Sequence, residues 1–208
     1  NHKDHTGGLD DIRAFNLLEH HPVNIYCQQY VVDSLKKEYS YAFAQTKYPG
    51  SPEWRVHILD SVAPFKVHSN ANEEVLVWEK GFGYRHYAPE SAADAVAEVV
   101  PIQGWHLSTN EISVLGYRFG NSAYLTDIKH IDESEYAKLE GLDCITLGCV
   151  KIDEHRSHPS LQQCLDFFER VGAKESYITH ISHLLPRYEE FCKMLPEHVH
   201  PAYDGLVI

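Results

Sequence analysis

The order of apolar and polar positions predicts a chain in which helices and strands alternate. Within residues 9–18, Leu9, Ile12 and Phe15 stand three positions apart, so their side chains would share one face of a helix. Acidic residues near its start suit the positive end of the helix dipole. Short apolar runs predict strands, because β-branched and aromatic residues suit a pleated surface. In the first half we predict strands at 23–27, 55–59 and 74–79 and a second helix at 28–39.

The second half predicts a denser alternation of the same elements. Gly120-Asn121 separates the apolar runs 112–119 and 122–126, a pattern typical of a β-hairpin. Residues 69–99 contain an irregular polar stretch at 84–92, and we expect a hairpin or flap near the functional site there. The remaining predictions are helices at 133–139, 158–171 and 185–195 and strands at 144–150, 176–179 and 200–208. This order favours an α/β fold, with 1–208 as one domain.

Composition and charge narrow the class of protein. The 208 residues are 43% hydrophobic, enough to bury one substantial core. No apolar run reaches the roughly 20 residues that a membrane span needs, so we expect no membrane partner. Five cysteines without a CxxC spacing favour reduced thiols and a cytoplasmic location. A net charge of −12 argues against long nucleic acids, whose binding depends on cationic side chains.

Candidate metal ligands begin at the first residues of the chain. His2, Asp4 and His5 place two imidazoles and a carboxylate within four positions. Such a cluster suits a divalent cation, although a solvated loop or a remnant of a purification tag would explain it as well. Four further candidates stand near the predicted ends of strands or the start of a helix: His106, Asp127, His158 and His180.

Together, these residues resemble the metallo-β-lactamase superfamily. Residues 1–5 read NHKDH, which matches the HxHxDH signature of that superfamily except for its first histidine. The phrases GLDDIR, LGYRFG, YLTD, HPSL, THISH and AYDGL resemble the branch that contains phosphoribosyl 1,2-cyclic phosphate phosphodiesterase. The resemblance implies an αββα sandwich whose N-terminal strands are lacking in this chain, so that 1–208 would be one N-terminally incomplete domain.

The resemblance also implies a centre with two divalent ions, Zn or Mn. The implied ligands are His2 and His106 for one ion, Asp4, His5 and His180 for the other, and Asp127 between them. Two ions that share a hydroxide can activate it for attack on phosphorus. The implied activity is therefore hydrolysis of a small cyclic or nucleotide-like phosphodiester, with Asp4 among the catalytic residues.

Three more residues have implied roles around this centre. His158 matches a histidine that faces substrate phosphate, where an imidazolium could protonate the leaving oxygen; a residue that only starts a helix is the alternative. Arg13 would contact an anionic substrate, or would pair with Asp10 or Glu19. His183 would join cysteines absent from this chain in a third, structural Zn site, or would be a cap or core residue.

Three classes of function are compatible with these residues. The first is a dinuclear phosphodiesterase for a small phosphorylated substrate, with a homodimer as one possible assembly. The second is a tRNA 3′-end-processing nuclease, against which the acidic total charge weighs. The third is a binding protein that keeps the fold without turnover.

Overall fold

The computed structural model describes residues 1–59, 62–68, 75–79, 83–87, 96–109 and 112–208. The contacts between them divide the chain into two compact units. Unit 1 comprises 1–61 and 67–96, and unit 2 comprises 62–66 and 97–208. That 1–208 is one domain stays a prediction.

Unit 1 begins with two short helices and continues with a parallel pair of strands. Its first elements are α1 (Lys3–Thr6), α2 (Arg13–Glu19), β1 (Val23–Cys27), α3 (Gln29–Glu38), a 3₁₀ helix (Ser40–Phe43) and β2 (Trp54–Ile58). β1 pairs with β2 in parallel, and Leu35, Tyr39 and Ala42 form a small core against Trp54. These elements confirm the first two predicted strands and the helix at 28–39 within one or two residues.

The helix predicted at 9–18 begins later than its apolar spacing indicated. Residues 9–12 form turns, and α2 starts at Arg13 with no acidic residue in its first turn. The carboxylate of Asp10 instead accepts a hydrogen bond from the hydroxyl of Tyr41. Asp side chains that bond outside a helix compete with helix formation, which explains the late start.

The strand predicted at 74–79 is one half of a hairpin. β4 (Val75–Glu79) and β5 (Gly83–Tyr87) pair in antiparallel register. The expected hairpin is therefore confirmed for 75–79 and 83–87, and 84–87 form a strand in place of the irregular structure that the sequence indicated, because two tyrosines suit a strand. Residues 74 and 88–92 lie outside the described residues.

Nearly all residues of one large mixed sheet belong to unit 2. The strands of this sheet are β3 (Phe65–His68), β6 (Val96–Trp105), β7 (Ser113–Phe119), β8 (Ser122–Leu125), β9 (His130–Ile131), β10 (Cys144–Gly148), β11 (Glu175–Thr179) and β12 (Val199–Pro201). Their order is β12-β11-β10-β8-β7-β6-β3, and β9 pairs with β6. β8, β10, β11 and β12 run in parallel, and β6-β7 and β7-β8 are antiparallel. Because β6 and β8 are both antiparallel to β7, they run in the same direction. β6 therefore ends at the same edge of the sheet as β8, β10 and β11.

Helix α4 (Leu161–Val171) begins three residues later than predicted. The side chain of Ser160 accepts from the backbone N–H of Gln163, and the side chain of Gln163 accepts from the backbone N–H of Ser160. This capping box satisfies two donors at the helix start and so defines it. The helix ends at Gly172, whose φ of 67° suits glycine.

Three other predicted elements are shorter or tighter in the structure. Residues Glu133–Leu139 form a 3₁₀ helix, and the helix predicted at 185–195 is reduced to α5 (Tyr188–Cys192). The final strand ends at Pro201, not at residue 208. Proline cannot donate to a strand ladder, which explains the early end.

The main core of unit 2 joins the strands to α4. Ile102, Leu125, Ile145 and Ile178 come from four strands, and Cys164 and Phe168 come from α4. All five residues of β10 are buried, as expected for a central parallel strand. Burial of these side chains holds the strand ends in fixed positions. In the described part of the chain, a helix fit to span a bilayer is absent.

Candidate metal centre

Four predicted site residues of unit 2 meet at the carboxyl edge of the large sheet. His106 follows β6, Asp127 lies two residues after β8, and His180 follows β11. His158 lies in the loop between β10 and α4. Because these strands end at one edge, residues that are distant in sequence become neighbours.

Asp127 is the centre of this group. Its Oδ1 atom lies 3.3 Å from Nε2 of His180 and 3.6 Å from Nδ1 of His158. Its backbone carbonyl oxygen accepts a 2.8 Å hydrogen bond from Nδ1 of His106. A carboxylate among three imidazoles is a donor set that suits a divalent cation such as Zn or Mn.

The hydrogen bond of His106 determines which ring nitrogen can act as a ligand. A carbonyl oxygen only accepts, so Nδ1 carries the proton and Nε2 keeps its lone pair. Metal-binding histidines commonly donate their second ring N–H in this way, which fixes the orientation of the ring. The contact with Asp127 therefore prepares the Nε2 atom of His106 for a metal ion.

His158 is buried and electrostatically unusual. Its Nδ1 atom makes no hydrogen bond with any described residue. The pKa of His158 is lowered to about 4, mainly by burial. Asp127 acts in the opposite direction, and the imidazoles of His180, His106 and His155 add to the lowering. The neutral imidazole is therefore favoured at neutral pH, and not the imidazolium that the sequence suggested.

The unpartnered nitrogen of His158 also tests whether a metal fits. Buried polar atoms almost always have a partner, so this Nδ1 atom calls for one. His106, Asp127 and His158 each offer one potential ligand atom. These three atoms lie within 4.8 Å of one another. Either a cation or a polar group of a bound substrate could be the partner of Nδ1, and the carboxylate with its imidazoles supports the use of divalent metal.

Backbone strain coincides with this group. Asp127 and His180 both adopt a φ of 56°, in the left-handed region that residues other than glycine rarely enter. Such strain is of the order of 1 kcal/mol per residue and is found most often at functional sites. Both residues turn sharply at the end of a strand, which directs their side chains towards one point.

Sequence reasoning missed two residues that support the group. At Gly148, a Cβ atom would lie 3.4 Å from Cβ of His180 and 3.5 Å from the backbone nitrogen of Asp127, so Gly148 packs in van der Waals contact with the segments of both residues. Lys129 is the other, and its backbone N–H donates to the carbonyl of Trp105 at 2.7 Å. Gly148, inside the strand predicted at 144–150, was an available signal, because a glycine in a strand often marks the close approach of another segment.

Unit 1 carries the predicted N-terminal ligands on α1. The carbonyl oxygen of His2 accepts hydrogen bonds from the backbone nitrogens of His5 at 3.0 Å and Thr6 at 3.1 Å. Nε2 of His5 lies 3.5 Å from Oδ2 of Asp4. One helical turn therefore brings the imidazole of His5 close to the carboxylate of Asp4, directly after His2. Their assignment as metal ligands stays a prediction.

Two further predicted residues lie outside these groups. The Nη1 atom of Arg13 lies 3.4 Å from Oδ2 of Asp10, which is the ion pair that the sequence allowed. His183 is exposed in the loop after β11, and no potential ligand group among the described residues contains it. A substrate contact by Arg13 and a structural Zn at His183 both stay predictions.

Comparison with known proteins defines the class. Residues 1–181 match the beta-lactamase superfamily domain, and the chain belongs to that family. The octanoyltransferase of Porphyromonas gingivalis (strain ATCC BAA-308 / W83) is 31% identical over 206 residues, which cover 99% of this chain and 35% of that protein. The chain thus spans about a third of the length of this curated relative.

Solved structures agree with the family. A diphosphatase from the PhnP family is 27% identical with a TM-score of 0.68, covering 96% of this chain and 64% of that one. YhfI from Bacillus subtilis, a metallo-β-lactamase fold protein, is 14% identical with a TM-score of 0.65, and the match covers 99% of this chain and 73% of YhfI. Human tRNase Z, short form, is 16% identical with a TM-score of 0.52, and the match covers 92% of this chain and 69% of the tRNase Z chain. The predicted metallo-β-lactamase fold is confirmed.

Proposed function

We propose that the protein is a metal-dependent phosphodiesterase that hydrolyses a small cyclic or nucleotide-like phosphodiester. The observation that carries this proposal is Asp127, whose side chain lies within 3.6 Å of imidazole nitrogens of His158 and His180 at the end of parallel strands. The name diphosphatase, carried by the 27%-identical structure, supports chemistry at phosphorus.

Two divalent cations, Zn or Mn, are the cofactors of this proposal. In unit 2, His106, Asp127 and His180 offer imidazole and carboxylate donors, and His2, Asp4 and His5 offer the same donor types in unit 1. When bound, such ions supply Lewis acidity and a water activated near neutral pH. The strained backbone of Asp127 and His180 and the hydrogen bond of His106 orient the donors of unit 2.

His158 is the proposed group for proton movement, so in this proposal the partner of its unpaired Nδ1 atom is the substrate and not a metal ion. A phosphodiester anion beside it would raise the pKa of this imidazole, because an opposite charge stabilises the imidazolium. The protonated ring could then donate to the phosphoryl oxygen and pass its proton to the leaving oxygen. Hydrolysis breaks one P–O ester bond, adds the hydroxyl group of water to phosphorus, and places a proton on the leaving alcohol.

Two other functions have weaker support. The tRNase Z structure is only 16% identical and so bears on the fold alone. Acyl transfer enters only through the name of the octanoyltransferase, and about two thirds of that protein has no counterpart in this chain. That remainder is long enough to hold the named activity, so the name does not favour acyl transfer here.

The test is hydrolysis of two phosphodiesters by the full chain. Bis-p-nitrophenyl phosphate and a 2′,3′-cyclic nucleotide are supplied with Zn or Mn, and metal content is measured on the same samples. We expect turnover that a chelator abolishes and that Asp127→Asn lowers more than about 100-fold. The control is His200→Ala, since His200 pairs with Glu175 on an exposed surface. A metal-loaded protein that cleaves neither compound contradicts the proposal.

A further inference from the structure

A cavity of about 320 Å³ lies between α4, β9 and the 3₁₀ helix Glu133–Leu139, wholly within unit 2. Pockets for small molecules have volumes of about 300–1,000 Å³. The described residues that line this cavity include no member of the candidate metal centre. Ile128 and Pro159 line it, and they directly follow Asp127 and His158 in the chain. The cavity is therefore a second hollow, which borders the centre without sharing its side chains.

The walls of the cavity are largely apolar. Ile128, Ile131 and Leu147 are buried members of the main core and form its inner wall. The rings of Tyr136 and Phe167 are only partly buried, and their centroids lie 5.7 Å apart with an angle of 46° between the rings. Each ring therefore keeps apolar surface in contact with water, and a flat ring in the cavity would cover that surface. The apolar walls thus favour an aromatic ligand.

The charged side chains of the cavity are cationic on balance. They are two cations, Lys129 and Arg170, and one carboxylate, Asp166. The Cζ atom of Arg170 lies 3.4 Å from the centroid of the Tyr136 ring, so the guanidinium is held against the aromatic wall. Its Nη2 atom donates to Glu133, but a guanidinium has five N–H donors, more than one carboxylate accepts. A single acidic group on a ligand would balance the remaining charge and accept from Arg170.

The other two charged groups of the cavity are engaged with neighbours. The ammonium nitrogen of Lys129 lies 2.9 Å from Oε1 of Gln163 and 3.0 Å from the carbonyl oxygen of His158. The carboxylate of Asp166 accepts a 2.8 Å hydrogen bond from Nε2 of Gln162, and Asp166 is exposed, so solvent screens its repulsion of an anion. Arg170 is therefore the group best placed to recognise an acidic ligand.

We propose that this cavity is a second ligand site, which binds an aromatic ring that carries one carboxylate. Tyr136 and Phe167 contact the ring, and Arg170 donates to the carboxylate. The proposal goes beyond the proposed phosphodiesterase function and does not depend on it, because the cavity and the metal centre use different side chains.

Two naphthalene derivatives of similar size test the charge of the ligand. 2-Naphthoate carries a carboxylate, and 2-naphthalenemethanol carries a neutral hydroxyl group in its place. We expect the full wild-type chain to bind the carboxylate about tenfold more tightly in isothermal titration calorimetry. Arg170→Gln should reduce this preference below about twofold. Lys174→Gln, which removes an exposed cation outside the cavity, should keep it. Equal affinities in the wild type, no binding, or an unchanged preference in Arg170→Gln would overturn the proposal.

A substitution of Phe167 tests the contact with the ring. Phe167→Leu should weaken the binding of both compounds about fivefold, because it replaces an aromatic contact with an aliphatic one. Phe119→Leu is the matched control, since Phe119 is an exposed ring on β7 outside the cavity. Wild-type affinities in the Phe167→Leu protein would exclude the aromatic wall from the site.

The position of the bound ring is measured from the NMR signals of isoleucine methyl groups. 2-Naphthoate should shift the signals of Ile128 and Ile131, with or without added Zn, and leave that of Ile181, which follows His180, unchanged. A shift at Ile181 alone, or binding that requires Zn, would place the carboxylate at the metal centre and overturn the assignment. If the protein hydrolyses no phosphodiester but shows the expected shifts, only the proposed function fails and the second site stands.

Discussion

The ammonium nitrogen of Lys129 lies 3.0 Å from the backbone carbonyl oxygen of His158. The same nitrogen lies 2.9 Å from Oε1 of Gln163 and 3.3 Å from Oε2 of Glu154. Its side chain is only 8% exposed, so the charge is held by protein acceptors with little help from water. Lys129 follows Asp127 by two residues and thereby fixes the loop of His158 against the segment that carries Asp127.

We expect Lys129→Met to lower both stability and hydrolysis. The change removes the donor from three acceptors, and loss of such charge-assisted hydrogen bonds costs about 1–3 kcal/mol. Urea unfolding should show this decrease. With metal bound, kcat should fall while the metal content stays unchanged, since His158 moves relative to Asp127. Lys174→Met is the control, because Lys174 pairs with Asp143 at the surface and should change stability by less than about 0.5 kcal/mol. Equal effects of the two substitutions would contradict the role of Lys129.

His106→Ala should weaken metal binding. The substitution removes Nε2, the proposed donor, and leaves the carbonyl of Asp127 without its 2.8 Å hydrogen bond. Loss of such an orienting bond alone lowers metal affinity about 10- to 100-fold, so loss of the donor as well should exceed that range. Competition with a chromophoric chelator measures the affinity, and His200→Ala should match the wild type. If the His106→Ala protein bound the metal as tightly as the wild type does, His106 would not be a metal ligand.

The stability of the metal-free protein should fall as the pH drops from about 6.5 to 4. In the unfolded chain the imidazole of His158 titrates near 6.5, whereas burial lowers the pKa in the folded protein to about 4. Between these values the unfolded state binds the additional proton, so acid favours unfolding. The loss is at most about 3 kcal/mol and is complete below the folded pKa. Denaturant unfolding across this pH window measures it.

His158→Gln should flatten that pH dependence, because glutamine does not titrate. His200→Gln should keep it, since His200 lies on the surface beside Glu175. Identical slopes for wild type and His158→Gln would show that other groups cause the acid sensitivity. NMR titration of the imidazole signals in metal-free protein gives the pKa of His158 directly.

Gly104→Ala should distort the segment next to Asp127. A Cβ atom at Gly104 would lie 2.8 Å from both Cδ1 and Cγ1 of Ile128 and 2.9 Å from its Cγ2, closer than packed atoms allow. We expect a loss of about 1–3 kcal/mol in unfolding free energy together with weaker metal binding, because Ile128 adjoins Asp127. The double variant Gly104→Ala with Ile128→Ala should be less destabilised than the sum of the two single variants. Additive effects would show that the two residues do not clash.

The positions of His106 and His180 at the ends of strands could be predicted because their signals are local, whereas the role of the N-terminal histidines stays a prediction. His106 and His180 each follow an apolar run that forms a strand, and the runs themselves predict where such strands end. The first residues of the helices were harder to predict from the sequence. The late start of α2 reflects the bond between Tyr41 and Asp10, which joins residues far apart in the chain. The capping box of α4 was visible in Ser160 and Gln163, but the apolar spacing alone placed the helix start too early.

Residue types and their order by themselves determined the α/β class, most of the strands and which side chains could bind metal, because periodicity and donor chemistry are properties of short segments. Only the tertiary structure decided that His158 is buried and favours its neutral form, that Lys129 holds its loop, and that Asp127 and His180 bend through left-handed φ values. Burial and strain are set by neighbours that come from other parts of the chain, and these neighbours exist only once the sheet has formed.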